Sequence, residues 1–310
     1  MDGLINVLKP PGMTSHDVVD YIRRLLKTRK VGHAGTLDPG ASGVLPVCVG
    51  RATRLVEFMS EWTKTYRAEL VLGVSTDTQD AQGQRLSVCE VTGLTEGDVQ
   101  QAMRKFIGLI EQTPPMVSAL HHQGRRLYEL AREGKTVERQ PRRVQIFKLD
   151  LLRFEPNWPH PRVLFEVNCS KGTYVRTLCA DLGLHLGCGA HMSFLVRTSV
   201  GPFDLTEAYT LEELADMVKD KKNFFLLPMT LAVYELPALV IKSDARPALQ
   251  NGQTLAASDF YAADVNIKLG TVKIITPEGN LVALGQVEFG QNKQWCCKPL
   301  KVLDPLHKLS

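Results

Sequence analysis

The residues best suited to chemistry lie in one loop, Gly32-His-Ala-Gly-Thr-Leu-Asp38-Pro-Gly-Ala-Ser-Gly43. Its four glycines let the backbone adopt unusual dihedrals and come close to a ligand. Pro39 biases Asp38 towards an extended conformation, so one carboxylate stands on a stiff point between flexible neighbours. Taken alone, an aspartate in such a loop reads as a turn residue as readily as a catalytic one. A second grouping, His185, Cys188 and His191, has H-x2-C-x2-H spacing that can in principle face one metal ion. It sits among Gly183, Gly187 and Gly189 with no fourth ligand near in sequence, and a structural turn is the better reading.

Charge points to a polyanion. The chain carries a net +4 at pH 7, and the window 121–143 alone carries the same net charge from seven Lys/Arg against three Glu. A solvated helix face accounts for such a run. The pairs Arg125-Arg126 and Arg142-Arg143, flanked by His121-His122, equally suit an arm that contacts phosphates.

Elements must position these groups. Residues 3–8 read as an apolar strand ended by Pro10-Pro11-Gly12. Thr14 or Ser15 can cap a helix whose stripe is Val18, Val19, Ile22, Leu25 and Leu26. Val44–Val49 reads as a strand. Alternation in Tyr66–Leu72 and in Val163, Phe165 and Val167 predicts two more. A helix is expected over about 95–108, a short one near Leu127–Ala131, and one whose stripe is Val175, Leu178, Cys179 and Leu182. By default Tyr66 belongs to the core of its strand, Arg176 to a surface salt bridge, and His33 to a loop hydrogen bond. After a connector near 224–237, short strands with turns at Gly252, Pro277-Glu278-Gly279 and Leu284-Gly285 predict a small β-rich unit. Strands and helices in mixed order imply an α+β fold.

The composition sets limits. A 310-residue chain that is 44% hydrophobic suits two domains, with no internal repeat. The first residues lack the apolar run of a signal peptide, and no stretch of about 18 apolar residues occurs. The expectation is a soluble, cytoplasmic protein that meets no membrane. Its seven cysteines form no C-x-x-C pair and read as buried or incidental thiols.

The string around Asp38 does not stand alone. It is preceded by Asn6-Val-Leu-Lys-Pro-Pro-Gly-Met-Thr-Ser15 and followed by Leu45-Pro-Val-Cys-Val-Gly-Arg-Ala-Thr-Arg54. Further along come Thr65-Tyr66-Arg67, Ser75-Thr76-Asp77-Thr78 with Asp80 and Gly83, and Pro114–Leu120. Cys169–Arg176 and Gly187–His191 complete the series. In this order the motifs closely resemble the TruB family of pseudouridine synthases, over roughly residues 3–230.

The resemblance implies a pseudouridine synthase fold with a mixed central sheet over 1–233, carrying an RNA-gripping insertion at about 112–143. A small PUA-like β-barrel would follow over 234–310. It implies isomerisation of uridine 55 in the TΨC loop of tRNA, bound at the T arm and elbow by a monomer. Metal, organic cofactor and obligatory protein partner would be unnecessary. Asp38 would be the indispensable carboxylate, paired with Arg176. Tyr66 would stack on the target base, Tyr174 and Leu195 would line its pocket, and His33 would fill the space that departing bases leave. Arg125, Arg126, Arg142 and Arg143 would hold phosphates, and Lys9 and Pro10 would shape the site. A guide-RNA-directed synthase and an elbow-binding RNA chaperone are the rival readings.

The chemistry agrees. Glycosidases use two carboxylates, one for the leaving group and one for C1′. Here the uracil is retained, so one carboxylate can suffice as nucleophile or base while the pocket turns the base. A neighbouring arginine favours the carboxylate form that this requires. An aromatic platform offsets the stacking lost on flipping by about 1–3 kcal/mol.

Overall fold

The computed structural model describes residues 1–118, 120–122, 124–222, 224–261, 269–289 and 294–304, and for His121, His122, Arg126, Tyr128 and Arg132 the backbone alone. Ala119 of one motif, and the side chain of Arg126, therefore lie outside the described part.

The chain opens with β1 (Gly3–Lys9), α1 (Ser15–Leu25), β2 (Val31–His33), β3 (Ser42–Val49), α2 (Val56–Ser60) and β4 (Lys64–Leu72). There follow β5 (Val74–Thr76), β6 (Arg85–Val88), α3 (Glu96–Arg104), β7 (Gly108–Gln112), β8 (His121–His122), β9 (Arg125–Arg126) and α4 (Leu127–Arg132). The first unit closes with β10 (Arg142–Glu155), β11 (Arg162–Cys169), α5 (Val175–His185), β12 (Ala190–Val200), β13 (Phe203–Asp204) and α6 (Leu211–Lys219).

Local chemistry sets the helix starts. Thr14 caps α1: its hydroxyl accepts from the Asp17 N–H, and the Asp17 carboxylate accepts from the Thr14 N–H at 2.8 Å. Thr95–Asp98 and Thr210–Glu213 repeat this reciprocal box at α3 and α6. Val18, Val19 and Ile22 of α1 are buried against β1 and β3, each contributing about 1.5–3 kcal/mol.

The central sheet is mixed, ordered β1-β3-β12-β4-β11-β10-β7, with β2 beside β3 and β13 beside β12. Its one parallel contact, β12 with β3, sets Arg197 beside Gly43. Tyr66, Ala68, Leu70 and Leu72 of β4 share one core with Phe165, Val167 and the α5 stripe, as the alternation predicts. Leu37 and Ala41 of the Asp38 loop enter this core, so the loop is anchored on both sides of the carboxylate.

Several strands were not foreseen, three of them large parts of the central sheet. β7, the 14-residue β10 and the 11-residue β12 supply much of the sheet. Two kinks, between Ile146 and Lys148 and between Leu151 and Arg153, break the alternation of β10. Those between Met192 and Phe194 and between Arg197 and Ser199 break that of β12. The helix expected over 95–108 ends at Arg104, because the chain turns through Gly108 (φ 108°) into β7.

The second unit holds β14 (Ala238–Ile241), α7 (Arg246–Gln250), β15 (Leu255–Ala256), β16 (Phe260–Tyr261), β17 (Gly270–Ile275), β18 (Leu281–Phe289) and β19 (Trp295–Val302). Its six strands form a barrel-like sheet with its own core. Leu281, Leu284 and Leu303 pack on Ala52, Leu55 and Met59 of the first unit. Arg51 adds bonds to Asp2 at 2.8 Å and to the Leu303 carbonyl at 2.8 Å. No helix among the described residues is long and apolar enough to cross a membrane.

Candidate active site

The Asp38 loop is held from four directions. From α1, the Leu37 N–H donates to the Ser15 hydroxyl at 2.9 Å, and that hydroxyl donates to the Leu37 carbonyl at 3.3 Å. From the turn after β1, the Gly12 N–H donates to the Pro39 carbonyl at 2.8 Å. From the end of β1, Lys9 Nζ donates to the carbonyls of Ala41 at 2.7 Å, Pro10 at 2.9 Å and Pro39 at 3.3 Å. Burial pushes this ammonium down to about 8, partly opposed by Asp38. Lys9 thus shapes the loop through backbone carbonyls, and it is fully buried.

The fourth direction is α5. Arg176 reaches Asp38 with two nitrogens, Nε to Oδ2 at 2.8 Å and Nη2 to Oδ1 at 3.2 Å. The Arg176 side chain is 3% exposed, while that of Asp38 is 40% exposed, so a buried guanidinium presents an open carboxylate. Its remaining reach goes to the carbonyls of Thr78 at 3.1 Å and Val117 at 2.9 Å, and towards Asp80 at 3.7 Å. A surface salt bridge is therefore ruled out for Arg176. Its guanidinium joins the loop, the β5–β6 turn and the segment after β7.

Tyr66 and Leu195 share one core, and Tyr174 opens the helix that carries Arg176. Tyr66 is half-buried at the edge of the core that includes Leu195, which is 8% exposed on β12. Burial raises the hydroxyls of Tyr66 and Tyr174, and the field of Asp38 reaches both. Tyr174 stands at the start of α5, where no side chain caps the helix. Gln112 fixes it instead: the Tyr174 N–H donates to Gln112 Oε1 at 3.0 Å, and Gln112 Nε2 donates to the Tyr174 carbonyl at 3.2 Å. Sequence reasoning passed over this buried glutamine, since nothing local marks a contact across 62 positions.

His33 is set apart. It ends β2 beside Val47, and burial first, then Arg197 and His16, holds its imidazole below the usual histidine value. His185, Cys188 and His191 do not converge. His191 Nδ1 meets the Val74 carbonyl at 2.9 Å, His185 packs edge-on against Phe106, and the Cys188 thiol turns back to Gly183.

The basic residues divide. His121 and His122 of β8 pair with Arg126 and Arg125 of β9, forming a hairpin before α4. Arg125 bonds Glu133, whose carboxylate is held down to about 2 by Arg125 and Lys135. Arg142 and Arg143 open β10 beside Gln112 and Glu111, so they stand on the central sheet rather than in the hairpin. Arg143 meets Glu111 at 3.5 Å with both groups exposed, and Arg142 lies close enough to Tyr174 to act on its hydroxyl. A second basic window went unread. Residues 20–30 carry Arg23, Arg24, Lys27, Arg29 and Lys30 against Asp20, again a net +4. Arg23, Arg24, Lys27 and Arg29 line an open cleft at the end of α1, one β2 length from His33.

The chain thus offers one open carboxylate whose charge reaches two tyrosines, together with two basic windows. Residues 23–175 match the model of the TruB family pseudouridylate synthase N-terminal domain, and residues 176–234 that of the tRNA pseudouridylate synthase B C-terminal domain. The tRNA pseudouridine synthase B of Moorella thermoacetica is 49% identical over 302 residues, covering 97% of this chain and 99% of that one. That of Symbiobacterium thermophilum is 54% identical over 252 residues, covering 81% and 82%.

The chain belongs to the TruB family of pseudouridylate synthases.

TruB-type architecture extends to solved structures. A chain in a structure of an H/ACA RNP bound to a substrate RNA containing 2′-deoxyuridine superposes with a TM-score of 0.74 at 33% identity, covering 98% of this chain and 85% of that one. A chain of the archaeal box H/ACA sRNP Nop10–Cbf5 complex gives 0.73 at 32% identity, covering 98% and 86%. The protein is thus an isomerase that makes pseudouridine, with a pseudouridine synthase fold and an added barrel-like sheet.

Proposed function

We propose that this chain isomerises uridine 55 in the TΨC loop of tRNA, with Asp38 as its one indispensable carboxylate. The observation that carries the reading is the two-nitrogen grip of Arg176 on an otherwise open Asp38. The reaction breaks the N1–C1′ bond and joins C5 to C1′; C5 gives up its proton and N1 takes one up from solvent. It is redox-neutral and internal to one nucleotide, so no electron carrier is consumed. Asp38 serves as nucleophile or base, and Arg176 fixes its angle of approach. Tyr66 and Tyr174 take over the stacking that the flipped base loses, and Leu195 forms an apolar wall against which it turns. His33 fills the gap left in the RNA.

The T arm and elbow are gripped through phosphates. The hairpin before α4, the start of β10 and the end of α1 supply positive charge around the cleft. The second unit serves as a PUA-like RNA-binding module fixed by its shared core with the first. The relatives' printed names support tRNA as the substrate.

The test is tritium release from [5-³H]uridine-labelled tRNA transcript, with the product mapped by position. Release from position 55 by the protein alone is expected. The solved neighbours sit in H/ACA complexes, which makes guide-directed action the second reading. Turnover that appears only with added guide RNA or partner protein would favour it.

A further inference from the structure

Arg197 heads the largest fully buried side chains of the described residues, at 1% exposed. Among those residues no carboxylate pairs with it. Its Nε donates to the Val44 carbonyl at 2.7 Å, Nη2 to the Gly35 carbonyl at 3.2 Å, and Nη1 to the Thr36 carbonyl at 3.5 Å. On the sheet it stands directly opposite Tyr66 of β4, and its positive charge acts on the Tyr66 hydroxyl. The backbone is pressed close as well. A Cβ on Gly43 (φ 115°) would stand 2.2 Å from the Arg197 carbonyl oxygen.

Burying a guanidinium without a counter-ion is unfavourable, and an apolar side chain of similar volume would fill the same space at lower cost. What an apolar residue cannot do is bind three carbonyls while facing a phenol across the sheet. The three carbonyls belong to the start of β3 and to the two residues that precede Leu37-Asp38. The phenol belongs to the aromatic platform. A bulge directly follows Arg197 on β12, a device that re-aims side chains beside active sites.

We infer that Arg197 is a positioning residue for the isomerisation: it ties the Tyr66 hydroxyl to the backbone of the loop that carries Asp38. Arg176 sets the angle of the carboxylate, and Arg197 sets the spacing between carboxylate and platform. That spacing matters because the base must turn between cleavage and rejoining without leaving. A loosened platform would allow unproductive orientations, which lowers the rate of the chemical step and leaves RNA binding to the phosphate contacts. The inference rests on the reading of Tyr66 as the surface that meets the base.

The test uses the full-length protein, tRNA transcript and four variants: Arg197→Lys, Arg197→Gln, Tyr66→Phe, and Arg197→Lys combined with Tyr66→Phe. Single-turnover rate at saturating tRNA, dissociation constant and melting temperature are measured for each. Arg197→Lys is expected to slow the step by roughly 30-fold or more, with affinity within about three-fold of wild type. In the Tyr66→Phe background the same exchange should cost less than about three-fold, because the tie it breaks is already gone. An unchanged rate in Arg197→Lys overturns the inference. So does an equal loss in both backgrounds, or a loss confined to affinity. If the Lys variant does not fold, Arg197→Gln, which keeps a planar amide donor, carries the comparison. If neither folds, Tyr66→Phe decides by itself, and a wild-type rate there overturns the tie. Failure of the wild type to turn over tRNA would count against the proposed substrate; full turnover by the Arg197 variants counts against this inference alone.

Discussion

Arg176 holds Asp38 with Nε and Nη2 while Nη1 and Nη2 also bind the carbonyls of Thr78 and Val117. One planar group therefore fixes the carboxylate to two neighbouring segments. Lysine keeps the charge but not the fork. Arg176→Lys should lower the single-turnover rate by roughly 100-fold or more, and it should also weaken stability, since the freed carbonyls lie around a nearly buried site. A Lys variant that works at the wild-type rate would remove Arg176 from the partnership.

Asp38→Asn should eliminate turnover and leave tRNA affinity within a few-fold of wild type. In the proposed reaction one carboxylate performs the chemistry, whereas a large polyanion is held by many contacts elsewhere. The asparagine can still accept from Arg176, so the loop should stay in place. Residual turnover above about 1% in protein checked for contaminating enzyme would count against the assignment.

Gln112→Leu tests the support of Tyr174. The change leaves the Tyr174 N–H without its partner in a nearly buried position, at a cost of about 1–3 kcal/mol. Chemical denaturation should show that loss. On the proposed reading, in which Tyr174 faces the base and makes no phosphate contact, the rate should fall while tRNA affinity holds. Gln112→Glu, which keeps the acceptor and loses the donor, should fall between leucine and wild type.

Lys9 predicts a pH dependence of stability. Its folded value, about 8, lies below the ordinary 10.5, so between these values the unfolded chain binds the proton and the folded chain does not. Stability contributed by this group therefore rises as pH rises through that window; the burial penalty is fully present below it. Lys64 behaves in the same direction, so the comparison must isolate Lys9. In Lys9→Met the rise between pH 8 and 10 should be smaller than in wild type, by no more than about 3 kcal/mol at 1.36 kcal/mol per unit. Parallel stability curves for the two proteins would refute it.

The loop that bears Asp38 was legible because glycine and proline announce backbone shape locally. Arg176 was legible only through its motif; on a helix stripe of Val175, Leu178 and Cys179 it reads as a surface charge, and the structure buries it. Gln112 and Arg197 were not legible, because a buried polar side chain is defined by partners far along the chain, 62 positions away for Tyr174 and 153 for Val44. β12 escaped for a related reason. Its bulges, one just before Leu195 and one directly after Arg197, interrupt the alternation.

The basic residues give the last prediction. Arg125 and Arg143 already meet Glu133 and Glu111, yet these pairs are exposed, and exposed pairs contribute little. A phosphate can replace either carboxylate as partner. Changing Arg125, Arg126, Arg142 and Arg143 together to glutamine should weaken tRNA binding and flatten its dependence on salt. Each phosphate contact contributes about −0.9 to the log–log slope for duplex and about −0.7 for single strands. If all four touch phosphate, the slope should fall by roughly three units; if the two glutamate pairs persist in the complex, by roughly half that. Arg142 stands near Tyr174, so its single change should also lower turnover, whereas Arg125 should act on affinity alone. Dissociation constants measured from low to moderate salt separate these outcomes. Parallel lines for wild type and the fourfold variant would mean that these arginines only solvate the surface, and the grip would have to lie elsewhere.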